Sequence, residues 1–71
     1  MTNVRFADAK RLALALGFHI ARVRGSHHIL VHPVIPELIN LQEHRGQAKP
    51  YQLRQLLHLV ERYHLHVGTD R

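Results

Sequence analysis

The sequence predicts a two-layer α+β sandwich in which three antiparallel strands pack one face against two helices. Apolar residues recur at helical spacing near both ends of the 71-residue chain. Between these ends lie short runs with β-strand patterning, separated by glycine and proline. A chain of this length has room for one domain, residues 1–71.

The first helix is expected over Phe6–Leu16. One apolar stripe at spacings i, i+3, i+7 and i+10 follows this segment and comprises Phe6, Ala9, Ala13 and Leu16. Gly17 provides a C-terminal stop, because glycine adopts the left-handed backbone conformation without strain. Thr2 or Asn3 is expected to cap the start of the helix.

The first two strands are expected to form a hairpin. The first strand covers Phe18–Arg24 and should contain a bulge or a twist, since Ile20 and Val23 fall on opposite parities. Gly25-Ser26 is the turn, in which glycine supplies a positive φ. The second strand covers His27–His32.

A third strand is expected over Glu37–Gln42. Its two faces alternate, with Ile39 and Leu41 on one and Asn40 and Gln42 on the other. Pro33 and Pro36 bracket the short connection before it, because proline cannot donate to a central ladder. The polar segment Glu43–Lys49 is expected to be a loop.

The second helix is expected to begin at Pro50, since the first helical position does not need an N–H group. Its core face is predicted from helical spacing to comprise Leu53, Leu56, Leu57, Val60 and His64. The tail Val67–Arg71 is expected to fray. The resulting order of elements is that of a double-stranded-RNA-binding-type domain, an analogy of architecture that says nothing of activity.

The charge of the chain favours a polyanionic partner. Ten Lys and Arg residues outnumber five Asp and Glu, and the formal net charge is +5. Most of these cations are arginine, the side chain best suited to bidentate phosphate contacts. Nucleic acid or an acidic protein would fit this excess. The alternative is a charge that serves only solubility.

Several classes of protein are disfavoured by what the sequence lacks. There is no cysteine, which excludes a disulfide framework, a thiol nucleophile and a thiolate zinc site. The apolar segment Leu12–Leu16 is too short for a signal peptide or a membrane span. We therefore expect a cytoplasmic protein without membrane association.

Two adjacent histidines, His27 and His28, are the candidate catalytic residues. Neighbours on a strand point to opposite faces, so the two imidazoles cannot perform the same task. One of them can act as a general acid/base near neutral pH, for example on the 2′-hydroxyl or the leaving 5′-oxygen of RNA. The alternative is a pair of solvated or hydrogen-bonded histidines at a strand edge. Cations that could stabilise charge on the phosphate are Arg22, Arg24, Arg45 and Lys49.

Metal and nucleotide sites receive less support. His64-x-His66 and the pair His27 and His32 offer imidazoles, but a catalytic zinc site needs three ligands at coherent spacing. No His-Glu-x-x-His pattern occurs, and we expect no metal. The segment 45–49 before the second helix could receive a phosphate at the helix N-terminus. It lacks the glycine spacing of a P-loop, and a solvated loop is the alternative.

Several motifs together resemble the HicA family of bacterial toxins. They are Gly17-Phe18, Gly25-Ser26-His27-His28, His32-Pro33 and the helix Pro-Tyr-Gln-Leu-Arg-Gln-Leu-Leu that starts at Pro50. The resemblance extends roughly over Phe6–Leu65. Many members carry Pro-x-His after the third strand, where this chain reads Gln42-Glu43-His44, so the role of His44 stays open.

The resemblance implies an α-β-β-β-α fold and a metal-independent ribonuclease that cuts mRNA and arrests translation, without an organic cofactor. It also implies a HicB-family antitoxin that covers the active site. The family's essential histidine falls on His27, with His28 as the second choice, and Gly25 and Ser26 match the turn that presents it. Arg22, Arg24 and Lys49 are expected to contact phosphate, from charge and placement alone. The alternative is a small RNA-binding or protein-interaction domain without catalysis.

Overall fold

A computed structural model describes residues 3–68 and confirms the predicted α+β fold class. The four strands form one antiparallel sheet in the order β1-β2-β3-β4, and the two helices cover one of its faces. The elements are α1 (Phe6–Ala15), β1 (His19–Arg24), β2 (His27–His32), β3 (Ile35–His44), β4 (Gln47–Ala48) and α2 (Pro50–Tyr63). No helix in this part of the chain is long and apolar enough to cross a membrane.

The core lies between the helices and the covered face of the sheet, which we call the inner face. It is made from alternate residues of the central strands, since Leu30, Ile39 and Leu41 are fully buried. The helices contribute the remaining large side chains, mainly Phe6, Leu53, Leu56 and Leu59, and Phe18 enters from the α1–β1 connection. The opposite side of the sheet, the outer face, carries no helix among the described residues.

The predicted start of α1 at Phe6 and its stop at Gly17 are confirmed, whereas the predicted cap at Asn3 is wrong. The N-cap is Arg5, which makes no side-chain capping bond, so Asn3 is not the cap; Thr2 lies outside the described residues. A backbone bond from Phe6 N–H to Gly46 O (2.9 Å) satisfies the first helical donor instead. Gly17 has a φ of +102° directly after the helix, as predicted.

Of the two irregularities predicted for β1, the structure has the bulge, which lies between Ile20 and Arg22. Ile20 pairs with Leu30, which points inward, whereas Arg22 pairs with Ile29, whose alternate position points outward. The extra residue between them therefore reverses the parity of the strand. This reversal places Ile20 on the inner side of the sheet, while Arg22 and Arg24 of the same strand lie on the outer side.

The prediction of three strands and a polar loop over Glu43–Lys49 is wrong. β3 begins at Ile35, includes Pro36 and continues to His44. Pro36 is tolerated because the β2–β3 register is irregular between Leu30 and His32. The short strand β4 then folds back through a turn at Arg45 and Gly46, both with positive φ, as in a type I′ hairpin.

The second helix begins at Pro50, as predicted, but its core face differs from the predicted one. Leu53 and Leu56 are buried together with Leu59, whereas Leu57 is 41% exposed. The predicted inclusion of His64 is wrong, since this exposed residue is the C-cap in the left-handed conformation (φ +56°). The chain therefore leaves the helix at His64 rather than continuing its core face.

Two polar contacts hold α2 against the sheet. Gln52, buried on α2, accepts a hydrogen bond through Oε1 from the backbone N–H of Gln42 (2.6 Å). Near the other end of the helix, the Tyr63 hydroxyl donates to Glu37 Oε1 (2.7 Å). This bond lowers the pKa of Glu37 and raises the pKa of Tyr63, because it stabilises the carboxylate and the protonated phenol.

The C-terminal tail was predicted to fray from Val67 onward, but the chain is still bonded to the rest of the fold at Gly68. Gly68 N–H donates to Ala15 O (3.0 Å), so the chain is bonded to the C-terminal turn of α1 at this point. The rest of the predicted frayed segment, residues 69–71, lies outside the described residues.

Candidate functional site

His27 lies on the outer face of the sheet, in a shallow open pocket of about 200 Å³. The pocket is lined by Arg22 and Arg24 from β1, His27 and Ile29 from β2 and Asn40 from β3. The strand register explains this grouping. Arg24 lies directly opposite His27, and Arg22 and Asn40 both pair with Ile29, one position further along the same face.

The two nitrogens of the His27 ring have different surroundings. Nδ1 lies 3.2 Å from Asn40 Oδ1, within hydrogen-bond distance. Among the described residues no partner is found for Nε2, and no buried side-chain nitrogen or oxygen lacks a partner. Nε2 is therefore in contact with solvent, on the side of the ring available to a ligand.

His28 lies on the inner face and packs against a helix. Its ring centroid is 4.7 Å from that of Phe6, the first residue of α1. Its Nδ1 is 3.4 Å from Ser26 O. The two adjacent histidines are thus separated by the sheet, as their sequence parity predicts, and only His27 lines the outer pocket.

The turn before His27 fixes where the strand begins. Gly25 has a φ of +59°, and a Cβ at this position would meet nothing within 4 Å, so backbone conformation rather than space favours glycine. Ser26 accepts a hydrogen bond through its carbonyl from Glu43 N–H (3.0 Å). This bond ties the turn to the end of β3, next to the site.

Charge near the pocket comes from two of the three predicted phosphate contacts. Arg22 and Arg24 line it, and the one salt bridge within residues 3–68 joins Arg11 to Asp8 elsewhere (3.1 Å). No internal carboxylate in this range therefore neutralises the pocket arginines. Lys49 does not line the pocket, because it lies between β4 and α2, at the opposite edge of the sheet from β1.

The side chain of His32 is held by contacts within the fold. Its Nε2 lies 3.2 Å from Leu16 O, its Nδ1 accepts a bond from Val34 N–H (3.2 Å), and its ring packs edge-on against Phe18 (5.1 Å). These contacts are made on the inner side of the sheet, whereas His27 faces outward. Within residues 3–68 no three His, Cys, Asp or Glu side chains are grouped so as to hold a metal ion.

Asn40 and Ile29 are site residues that the sequence analysis did not select. The alternation of β3 does place Asn40 on the face opposite Ile39 and Leu41, so its exposure to the outer face is readable from the sequence. Its contact with His27 depends on the register between β2 and β3, which one sequence does not specify. The alternation of residues along β3 was therefore the sequence signal that could have identified Asn40.

The chain was compared with known proteins. A family model described as the HicA toxin of bacterial toxin–antitoxin systems matches residues 6–61. This match covers α1, the whole sheet and most of α2, and so includes the pocket. No curated protein and no solved structure gives a significant match.

Proposed function

Because the chain belongs to the HicA family of bacterial toxins, we propose that it is an endoribonuclease that cleaves mRNA and so arrests translation. The proposed reaction needs no metal or organic cofactor and takes place in the cytoplasm. The observation that carries the proposal is the open Nε2 of His27 beside Arg22 and Arg24, since a base and phosphate-binding cations are the groups that RNA cleavage requires.

In the proposed reaction, His27 Nε2 accepts the proton of a ribose 2′-hydroxyl. The 2′-oxygen attacks the adjacent phosphorus, the O2′–P bond forms and the P–O5′ bond breaks. The leaving 5′-oxygen takes a proton from water, and the imidazolium releases its proton to solvent. The products are a 2′,3′-cyclic phosphate and a 5′-hydroxyl, so neither redox chemistry nor added water is needed in this step.

Arg22 and Arg24 are proposed to bind the reacting phosphate and to stabilise the charge that develops on it. Gly25 and Ser26 are proposed to contact the RNA backbone at the turn, where both are exposed. Lys49, at the opposite edge of the sheet, is proposed to contact a phosphate further along the strand. The RNA would then cross the outer face from β1 towards β4.

The proposed protein partner is a HicB-type antitoxin. The family implies an antitoxin in general, and the open outer face, with its uncompensated arginines, supports one that covers His27 with acidic residues. Such a complex would exclude RNA from the pocket. Titration of the purified toxin with the protein encoded beside it should abolish RNA cleavage at one equivalent of binding sites.

The proposed function is tested by RNA cleavage in EDTA with matched histidine variants. His27→Ala should lower the rate by at least about 100-fold, because a general base is lost. His28→Ala is the matched control: it should retain cleavage and instead lose thermal stability, since it removes a ring that packs on Phe6. Full activity of His27→Ala would refute the mechanism.

The same assay distinguishes the proposed ribonuclease from the alternative, a non-catalytic RNA-binding domain. A binding module would retard the RNA with a strong dependence on salt and leave it intact. Cleavage that requires an added divalent metal would contradict the metal-independent mechanism.

A further inference from the structure

We propose that Asn40 is a positioning residue that holds neutral His27 with its proton on Nδ1, leaving Nε2 as the proton acceptor. The inference about the tautomer needs only the structure of the free protein. Its catalytic consequence rests on the proposed function. The two side chains are in contact, since His27 Nδ1 lies 3.2 Å from Asn40 Oδ1.

An amide oxygen accepts hydrogen bonds and cannot donate them. A hydrogen bond between Oδ1 and the ring therefore requires a proton on Nδ1. In a neutral imidazole the other nitrogen then carries the lone pair. A histidine side chain free in water favours the opposite tautomer, with its proton on Nε2. The contact with Asn40 thus selects a state that His27 would not favour alone.

The sheet gives this contact a fixed geometry. His27 and Asn40 sit on adjacent central strands, diagonal to each other across the β2–β3 ladder. At His27, β2 is paired with β1 on one side and with β3 on the other, and β3 is paired with β2 at Asn40. The ring is therefore held by a side chain on a rigid element, and Nε2 is kept on the solvent side without a further partner among the described residues.

Other groups around His27 do not supply the same effect. The charged side chains that face it are Arg24 and Arg22 from β1, which donate hydrogen bonds and cannot accept the Nδ1 proton. From β3 it is faced by the neutral side chains of Asn40 and Gln42, and of these two only Asn40 forms a side-chain hydrogen bond with the ring. Asn40 is thus the acceptor on which the tautomer depends.

The tautomer can be measured without RNA. In protein labelled with ¹⁵N-histidine, the ¹⁵N shifts of neutral His27 should show a protonated Nδ1 and an unprotonated Nε2. Asn40→Ala should move the population towards the Nε2–H tautomer and lower the cleavage rate by about three- to tenfold, the value of one neutral hydrogen bond. Gln42→Ala, on the same face of β3, is the matched control and should change neither readout.

Asn40→Asp is the conservative variant, because a carboxylate also accepts the Nδ1 proton. It should keep the tautomer and restore cleavage relative to Asn40→Ala. Its added negative charge favours the protonated imidazole, so the acidic limb of the rate profile should move to higher pH. A loss of fold in Asn40→Ala would not produce this selective rescue, and amide spectra of all variants monitor folding directly.

The proposal is overturned by an Nε2–H tautomer in the unmodified protein, which would mean that the amide NH₂ of Asn40 faces the ring. It is also overturned if Asn40→Ala leaves the tautomer unchanged, whatever happens to the rate. Absence of RNA cleavage by the unmodified protein would count against the proposed function alone, because the tautomer is read in the free protein.

Discussion

At the scale of single residues, neighbours in the sequence have unrelated environments. His27 faces an open pocket between arginines, while His28 packs on Phe6 beneath the sheet. His32 uses both ring nitrogens in bonds to the backbone. The histidine content of the chain is therefore no guide to catalysis, and the environment of each ring decides what it does.

The contact between Tyr63 and Glu37 predicts how stability depends on pH. The pKa of Glu37 is lowered, so this contact contributes stability above the pKa that Glu37 has in the unfolded chain, and the contribution is lost as the pH falls through the lowered value. The pKa of Tyr63 is raised, so at alkaline pH the contribution is lost as the pH rises through the raised value.

Tyr63→Phe should therefore unfold at a lower denaturant concentration than the unmodified protein at neutral pH. The difference should shrink in acid, where Glu37 is protonated in both proteins. Denaturant unfolding at a series of pH values measures it, and Tyr51→Phe serves as a control, since the Tyr51 hydroxyl contacts Gln52 rather than a carboxylate. A difference that stays constant down to low pH would contradict this account.

At the scale of elements, the connection between α1 and β1 is constrained by close packing. Gly17 has a φ of +102°, and a Cβ there would lie 2.8 Å from His32 Nε2. The turn, the edge of β1 and the inner histidine of β2 are thus fitted to one another. This packing helps to fix the position of β1, whose arginines line the pocket.

Gly17→Ala should lower the free energy of unfolding by about 1–3 kcal/mol, from backbone strain together with the contact on His32. Gly68→Ala is the matched control, because its Cβ would meet its nearest atom at 3.7 Å and its φ is not in the left-handed region. Thermal or denaturant unfolding measures both variants. Equal stability of the two variants would show that the α1–β1 connection is not constrained in this way.

The elements also show which local structure the sequence specifies. The strand His27–His32, the turn before it and the start of α2 at Pro50 were predicted correctly, because glycine, proline and β-patterning mark them locally. β4 was missed, since Gln47–Ala48 is too short to show a period. The extension of β3 through Pro36 was missed because an irregular register compensates for the proline.

For the site, the sequence analysis placed His27 on a different face from His28, and the structure has them on different faces. Arg22, Arg24 and Lys49 were predicted from charge and placement alone, and the pocket includes Arg22 and Arg24 but not Lys49. Lys49 is separated from the pocket because of the order of the strands in the sheet. Asn40 contacts His27 because of the register between β2 and β3. Both are properties of long-range pairing, which residue patterns along one chain do not encode.

In the molecule as a whole, the two faces of the sheet have different surroundings. Helices bury the inner face and contribute most of the core, while the outer face, which carries no helix among the described residues, is the proposed binding surface. The formal net charge of +5 suits association with RNA, and an acidic antitoxin would compete for the same surface. In the proposed function, one surface binds both RNA and the antitoxin.

This division predicts which arginines govern RNA affinity. Arg24→Ala should weaken RNA binding and reduce the dependence of the logarithm of affinity on the logarithm of salt concentration by about 1, the loss of one phosphate contact. Arg54→Ala, an exposed site on α2, removes the same charge from the helical side and should leave this dependence nearly unchanged. Equal effects of the two variants would indicate attraction by net charge rather than a binding surface.

In the proposed function, the imidazole of His27 acts on a ribose 2′-hydroxyl at the outer face. Mass spectrometry of RNA ends after cleavage in EDTA tests it most directly, with His27→Ala protein as the blank. Attack by the 2′-oxygen should leave 2′,3′-cyclic phosphate and 5′-hydroxyl ends that are absent from the blank. Ends carrying a 3′-hydroxyl and a 5′-phosphate, or the same products from the blank, would contradict it.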